Sequence, residues 1–239
     1  MQKLLHIPHS TFGIEPQYRS WFVLNDEELY REQLRMVDRY TDELFDGFHK
    51  VIFKHCRLLC DVERFLDPAQ EEMTAKGMWI DYTKTSQGLP LKGNHDTEWV
   101  VENLYKPHHA LMTAKVEELL QNNGECLIAD CHSFASVALP YEDATKERPD
   151  ICIGTDAFHT PVEIAQKALK AFSGYGYRVG LNTPFSGAFV PCKFYKQDRR
   201  VKALMIEVNR SLYMDETTGE RGNNFDKVKK NIQNVLACL

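Results

Sequence analysis

The sequence predicts a single α/β domain, spanning residues 1–239, with a mixed, largely parallel central sheet flanked by helices. Three observations carry that reading. Short apolar runs of strand length alternate with amphipathic segments of helix length along the chain. Three of the runs lead into side chains with reactive or ligating atoms: "LLHIPHS", "CLIADCHSF" and "KALMIEVNRSLY". At 239 residues, the chain suits one domain with a sizeable core better than two small ones.

The elements follow in order. Lys3–Ile7 is the first expected strand. "NDEELYREQLRMVDRYTDELFDGF" reads as a helix, with Asn25 or Asp26 as its N-cap and acidic residues in its first turn. Val51–Cys60 is a second strand, in one or two parts. The long mixed stretch 68–96 is either a loop around a pocket or surface decoration. "PHHALMTAKVEELLQNNG" places proline near the start and glycine past the end of a helix. Glu125–Ala129 and Ile151–Ile153 are strands, separated by a second mixed loop that includes "PYEDATKERPD". "TPVEIAQKALKAFSGYG" is a helix capped by Thr160, followed by strands Val179–Asn182 and Ala203–Val208 and a terminal helix Asn224–Leu239.

Composition narrows the function classes. The 29 basic and 34 acidic residues give a formal charge of −5, without the basic surplus of a nucleic-acid grip. No apolar run approaches the roughly 18 residues of a membrane span, and the N-terminal apolar stretch is too short for a signal peptide. The seven cysteines, odd in number, read as reduced thiols of a cytoplasmic protein.

In sheets of this type ligands bind beyond the carboxyl ends of the strands, so the three polar endings are expected to share one crevice. His9 and His132, with one carboxylate and an open position, make a standard arrangement for catalytic zinc. A lone histidine at a strand end is explained by a carbonyl cap; two of them joined by Glu207 fit a metal site better. Glu207 suits the general base that takes a proton from water and returns it to a leaving nitrogen. The third ligand stays open among Asp38, Asp42, Glu43 and Glu15. Asp38 and Asp42, four apart on the expected helix, would share a face. Arg64 in "DVERF" reads either as a bidentate clamp for a substrate carboxylate or as an ion-pair partner of Asp61 or Asp67. Asn182, opening "NTPFSGAFVP", marks a shaped loop at a pocket mouth or a tight turn. Cys131 beside His132 points to the opposite face of an extended segment, which argues against a cysteine nucleophile.

"IPHS", "RLLCDVERF", "YKPHHALM", "DCHSF", "NTPFSGAFVP" and "MIEVNRSLYMDE" occur in the order in which they stand in the N-formylglutamate amidohydrolase family, and this resemblance spans residues 5 to about 216. It implies a zinc carboxypeptidase-like (phosphorylase/hydrolase-like) α/β fold with one zinc ion at the strand ends. It also implies hydrolysis of an N-acyl amino acid, N-formyl-L-glutamate to formate and glutamate, late in histidine degradation. His9 and His132 would be the first and last zinc ligands, with Asp38 preferred between them and Asp42 in reserve. The peptidases' His-x-x-Glu pairing is absent, since position 12 is Phe. Glu207 takes the place of their catalytic glutamate. Arg64, with Arg57 or Arg210, would hold a substrate carboxylate, although Glu63 stands where relatives carry Asn. His109 would orient substrate or support a ligand, and Asp130 would do the latter. The competing readings are the same chemistry on another N-acyl amino acid or short peptide, and a non-catalytic binding domain.

Overall fold

The computed structural model describes residues 1–239. Six strands form one sheet: β1 (Gln2–Ile7), β2 (His49–Ile52), β3 (Cys126–Phe134), β4 (Ile151–Gly154), β5 (Val179–Leu181) and β6 (Val201–Asn209). Their order is β2-β1-β3-β6-β4-β5. The first four in that order run parallel, β4 is antiparallel to β6, and β5 is parallel to β4. The mixed, mostly parallel sheet is the one expected from the sequence.

Side-chain alternation divides the central strands between two layers. Leu5, Ile7, Leu127, Ala129, Leu204 and Ile206 face a core built with α5 (Val162–Gly174) and α6 (Phe225–Cys238). In α6, Phe225, Val228, Ile232, Val235 and Leu236 recur at helical spacing and are all buried, each contributing about 1.5–3 kcal/mol. Leu4, Ile128 and Ala203 face the other way, against Met112 and Val116 of α4 (Lys106–Asn123).

Several boundaries differ from the sequence reading. The expected helix over 25–48 breaks in two: α1 (Asp26–Met36) and α2 (Thr41–Leu44). Asn25 and Glu28 form a reciprocal capping box at the start of α1, but Val37 turns extended and the Asp38 N–H donates to the His9 carbonyl at 2.9 Å. That bond takes Asp38 out of the helical ladder, so Asp38 and Asp42 share no helix face. The second strand stops at Ile52, and Cys56–Cys60 forms a turn closed by Leu59 and Cys60 N–H bonds to the Cys56 carbonyl. The helix before Gly124 begins earlier than Pro107: α3 (Thr97–Val100), capped by Asp96, continues through a π-helical turn at Val101–Tyr105 into α4. The wider turn accommodates a proline that lacks an N–H. β3 and β6 both run longer than expected, so Asp130 and His132 lie within β3 rather than after it, while Glu207 lies within β6 as expected.

The stretch 68–96 is no surface decoration. Met78, Ile80 and Tyr82 are buried with Leu58 and Leu59 in a third apolar cluster. The loop after β5 lies close over the sheet, since a Cβ at Gly154 would come within 2.5 Å of the Gly187 carbonyl oxygen. No helix is long and apolar enough to cross a membrane.

Candidate active site

Strand parity assembles the site. His6 pairs with Asp130 across β1 and β3, and His132 pairs with Glu207 across β3 and β6. Positions two apart on a strand share a face, so these four side chains lie on the face opposite Ile7, Cys131 and Ile206. Above them opens a cavity of about 530 Å³ whose lining includes His9, Asp38, Glu63, His132, Glu207 and Arg210.

His9 follows β1 and is almost completely buried. Its Nε2 lies 2.9 Å from Asp61 Oδ1. Its Nδ1, also buried, has no hydrogen-bond partner; it stands 3.6 Å from Asp38 Oδ2 and 3.8 Å from Glu63 Oε2. His132 turns its Nδ1 to the same Asp38 Oδ2 at 3.1 Å, while its Nε2 lies 3.1 Å from both Asp130 Oδ1 and Glu63 Oε1. The ring centroids are 5.2 Å apart. Each imidazole thus has a carboxylate behind Nε2 and presents Nδ1 toward one oxygen. Ligands about 2.0–2.1 Å from a tetrahedral ion are themselves about 3.3 Å apart, and these spacings bracket that value. Around the same point His9, Glu63 and His132 offer three ligand atoms all within 4.8 Å of one another. The orphaned His9 Nδ1 and this donor set fit a divalent metal.

Asp38 is held from behind. Arg210 Nη2 donates to its Oδ1 at 2.8 Å. Burial pushes the Asp38 carboxyl upward, but the neighbouring imidazoles of His132 and His9 and the charges of Arg210 and Arg57 prevail, holding it well below the usual carboxylate range. Asp61 behaves likewise: burial is overcome by Arg64, His9 and Arg57. For His132, burial favours the neutral ring, but Glu63 and Asp130 outweigh it and raise its pKa well above the ordinary value.

Glu207 differs from these acids. Burial pushes its carboxyl up to about 8, with His132 opposing and the charges of Asp38 and Glu63 reinforcing the rise. Its Oε2 has no partner. A buried carboxyl with a raised pKa and a free oxygen facing a cavity is equipped to carry a proton in either direction.

The other acidic candidates are corrected by their positions. Asp42 lies on α2, where its carbonyl accepts from Lys50; Glu43 pairs with Arg221 and Glu15 with His55 Nδ1. None lines the cavity. Glu63, which the sequence reading treated only as a neighbour of Arg64, enters the cluster instead. Asp61, two residues before it, is the sequence signal: the two acids sit on one turn, where the Glu63 N–H donates to Asp61 Oδ1 at 3.1 Å. His6, three residues before His9 and fully buried, also joins the site, beside Asp130.

Arg64 and His109 line the cavity. Arg64 Nη2 donates to the Tyr82 hydroxyl at 3.0 Å and lies 3.3 Å from Asp61 Oδ2, so the ion pair read from sequence is present, and Nε remains unpartnered. His109 donates from Nε2 to the Val62 carbonyl at 2.7 Å and packs on Tyr105; burial lowers its pKa to about 4. Arg210 borders the cavity, but its guanidinium is already spent on Asp38, Ser133 Oγ and the Arg35 carbonyl. It positions Asp38 and has no fork left for a substrate. Asn182 is outside the cavity: at φ +55°, it accepts the Thr155 N–H at 2.8 Å and closes the end of β5. The tight-turn reading applies to Asn182 alone: the loop it opens lines the cavity from Phe185 to Val190, as a shaped loop at a pocket mouth would. Five of the seven cysteines are buried and all are free; Cys131 sits in the core beneath the sheet.

Comparisons with known proteins agree with this architecture. The family model described as N-formylglutamate amidohydrolase matches residues 1–214. An N-formylglutamate deformylase of Pseudomonas putida is 26% identical over 230 residues, covering 90% of this chain and 82% of the relative. The crystal structure of N-formylglutamate amidohydrolase from Ralstonia eutropha superposes with a TM-score of 0.82 at 21% identity, covering 98% of this chain and 91% of that one. A gene product of Agrobacterium tumefaciens shares the fold at a TM-score of 0.63 and 18% identity, over 99% of this chain and 90% of its own. With the family model matched along nearly its whole length, the chain belongs to the N-formylglutamate amidohydrolase family of amide-cleaving enzymes.

Proposed function

We propose that the protein is a metal-dependent hydrolase of N-acyl amino acids, with N-formyl-L-glutamate, cleaved to formate and glutamate, as its first-choice substrate. The observation that carries this is the approach of His9 Nδ1 and His132 Nδ1 to Asp38 Oδ2, at 3.6 and 3.1 Å, beside the unpartnered Glu207 carboxyl.

His9, Asp38 and His132 would hold one zinc ion. When bound, such an ion lowers the pKa of water and polarises the amide carbonyl. The remaining chemistry belongs to the chain. Glu207 takes the proton of the attacking water and delivers it to the departing nitrogen, so one carboxyl serves as base and then acid. Asp61 and Asp130 hold the two imidazoles by their Nε2 atoms and fix which nitrogen faces the ion. Arg210 fixes the Asp38 carboxylate by its other oxygen. Arg64, with its free Nε at the cavity wall, clamps a substrate carboxylate. His109, kept neutral by burial and tied to the Val62 carbonyl, offers its other nitrogen to the substrate.

A second reading, the same chemistry on a bulkier acyl group, is favoured by the lining. Phe65, Met73, Leu139, Phe185 and Phe189 give the cavity an apolar wall with room beyond a formyl group. A place in histidine degradation, in the cytoplasm, follows from the first substrate and from the family resemblance. Release of formate from N-formyl-L-glutamate by the zinc-loaded enzyme, set beside N-acetyl and N-succinyl amino acids, tests both. No turnover on any of them by metal-loaded protein would refute the proposal.

A further inference from the structure

Behind His132 lies a second constellation of ligand atoms. His6, Glu63 and Asp130 offer three such atoms all within 4.8 Å of one another. His6 Nδ1 is 2.9 Å from Asp130 Oδ1 and 3.6 Å from Glu63 Oε1. His132 Nε2 is 3.1 Å from each of the same two oxygens. Each of the two imidazole nitrogens thus lies 2.9–3.6 Å from both carboxylate oxygens, around the roughly 3.3 Å edge of a tetrahedral ligand sphere.

Two features distinguish this from ordinary support of His132 by Asp130. The His132 Nε2 carries at most one hydrogen, yet two carboxylate oxygens lie equally close to it, so one is left without that hydrogen. The Glu63 carboxylate also divides its atoms: Oε1 faces His132 and His6, and Oε2 faces the unpartnered His9 Nδ1. One oxygen turned to each constellation is the disposition of a bridging carboxylate. The surroundings favour cations too. The guanidiniums of Arg57, Arg64 and Arg210 pair with Asp38 and Asp61, whereas the carboxylates of Glu63 and Asp130 face only imidazoles among the basic side chains.

We propose that the site binds a second divalent cation through His6, Asp130 and Glu63, with the Glu63 carboxylate shared between it and the first. The mixed nitrogen and carboxylate set suits zinc, cobalt or manganese. The outer end of His6 is fixed, since its Nε2 lies 2.9 Å from His108 Nε2; Asp130 is fixed by the Phe189 N–H on its Oδ2 at 2.9 Å. A second ion would add positive charge facing the substrate and a second contact for its oxygens. This inference rests on the proposed metal at His9, Asp38 and His132, and the test separates the two.

Metal-stripped full-length protein is titrated with zinc chloride, and bound zinc per chain is measured after dialysis. The same preparations loaded with cobalt are followed by visible absorption. Wild type is expected to hold two equivalents, with His6→Asn and Asp130→Asn each holding one. Glu63→Gln, at a partly exposed position, is expected to fall to one and replaces the buried variants should they not fold. Cobalt absorption is expected to drop by about half in each folded variant. A single equivalent in wild type, lost in His9→Asn but kept in His6→Asn, would overturn the second site and leave the first standing. Two equivalents retained in His6→Asn and Glu63→Gln would also overturn it. No bound zinc at all would remove both.

Discussion

His132 and Glu207 sit directly opposite each other on adjacent parallel strands, on the same face of the sheet. This register places the proposed proton carrier beside the proposed metal-ligand imidazole with no loop between them. Both strands are buried, so the spacing is set by the sheet itself. Such rigid support suits catalytic groups that must hold their positions to within a fraction of an ångström.

Glu207→Gln keeps shape and polarity but cannot accept a proton. Turnover on N-formyl-L-glutamate is expected to fall by about 10²–10⁴-fold, with zinc content unchanged. Steady-state kinetics and metal analysis on one preparation check both halves. Retained turnover would remove Glu207 from the mechanism.

The same substitution has a pH-dependent effect on stability. In the folded metal-free protein, the Glu207 carboxyl titrates at about 8, against 4.5 for the free side chain. Between those values the folded state holds a proton that the unfolded state has released, so its stability falls as pH rises through the window. Glutamine pays no such cost. Metal-stripped Glu207→Gln is therefore expected to melt increasingly above metal-stripped wild type from pH 5 to pH 8, with little difference at pH 5. Thermal melts across that range decide it; a constant offset would contradict the raised pKa.

Arg210 is buried, and its guanidinium joins Asp38 to Ser133 and to the carbonyl of Arg35. Arg210→Met leaves the Asp38 charge without its closest counter-ion and is expected to cost about 3–5 kcal/mol of stability. Urea denaturation measures that loss. A pure substrate-binding role would instead raise KM and leave the unfolding midpoint unchanged.

Asp61 accepts from His9 Nε2 and also pairs with Arg57. Asp61→Asn is expected to weaken zinc binding by about 10–100-fold through the orientation of His9 alone. Competition against a chelator of known affinity reads this directly. Unaltered affinity would show that the His9 ring needs no such support.

Arg64 and Asn182 make a contrasting pair. Arg64→Met is expected to raise KM for carboxylate substrates more than it lowers kcat. Asn182→Gly, away from the cavity and at a backbone angle glycine adopts freely, is expected to leave kcat/KM within about twofold of wild type. Equal losses in both would point to a general structural effect.

Much of this protein is legible in its order of residues. Continuous apolar runs of strand length in β1, β3 and β6, buried on both faces, and helical spacing in α5 and α6 reveal the α/β architecture. The three polar sequences containing His9, His132 and Glu207 point to one crevice because ligands bind beyond the carboxyl ends of such strands. What the sequence could not decide were matters of register and of competition between local and distant partners. Asp38 leaves its expected helix because its N–H finds the His9 carbonyl, a bond between residues 29 positions apart. Glu63 enters the cluster, and Asn182 stays out, according to how a turn packs and which side of β5 its end lies on. Those outcomes depend on contacts between distant segments, and only the folded chain brings them within hydrogen-bonding range.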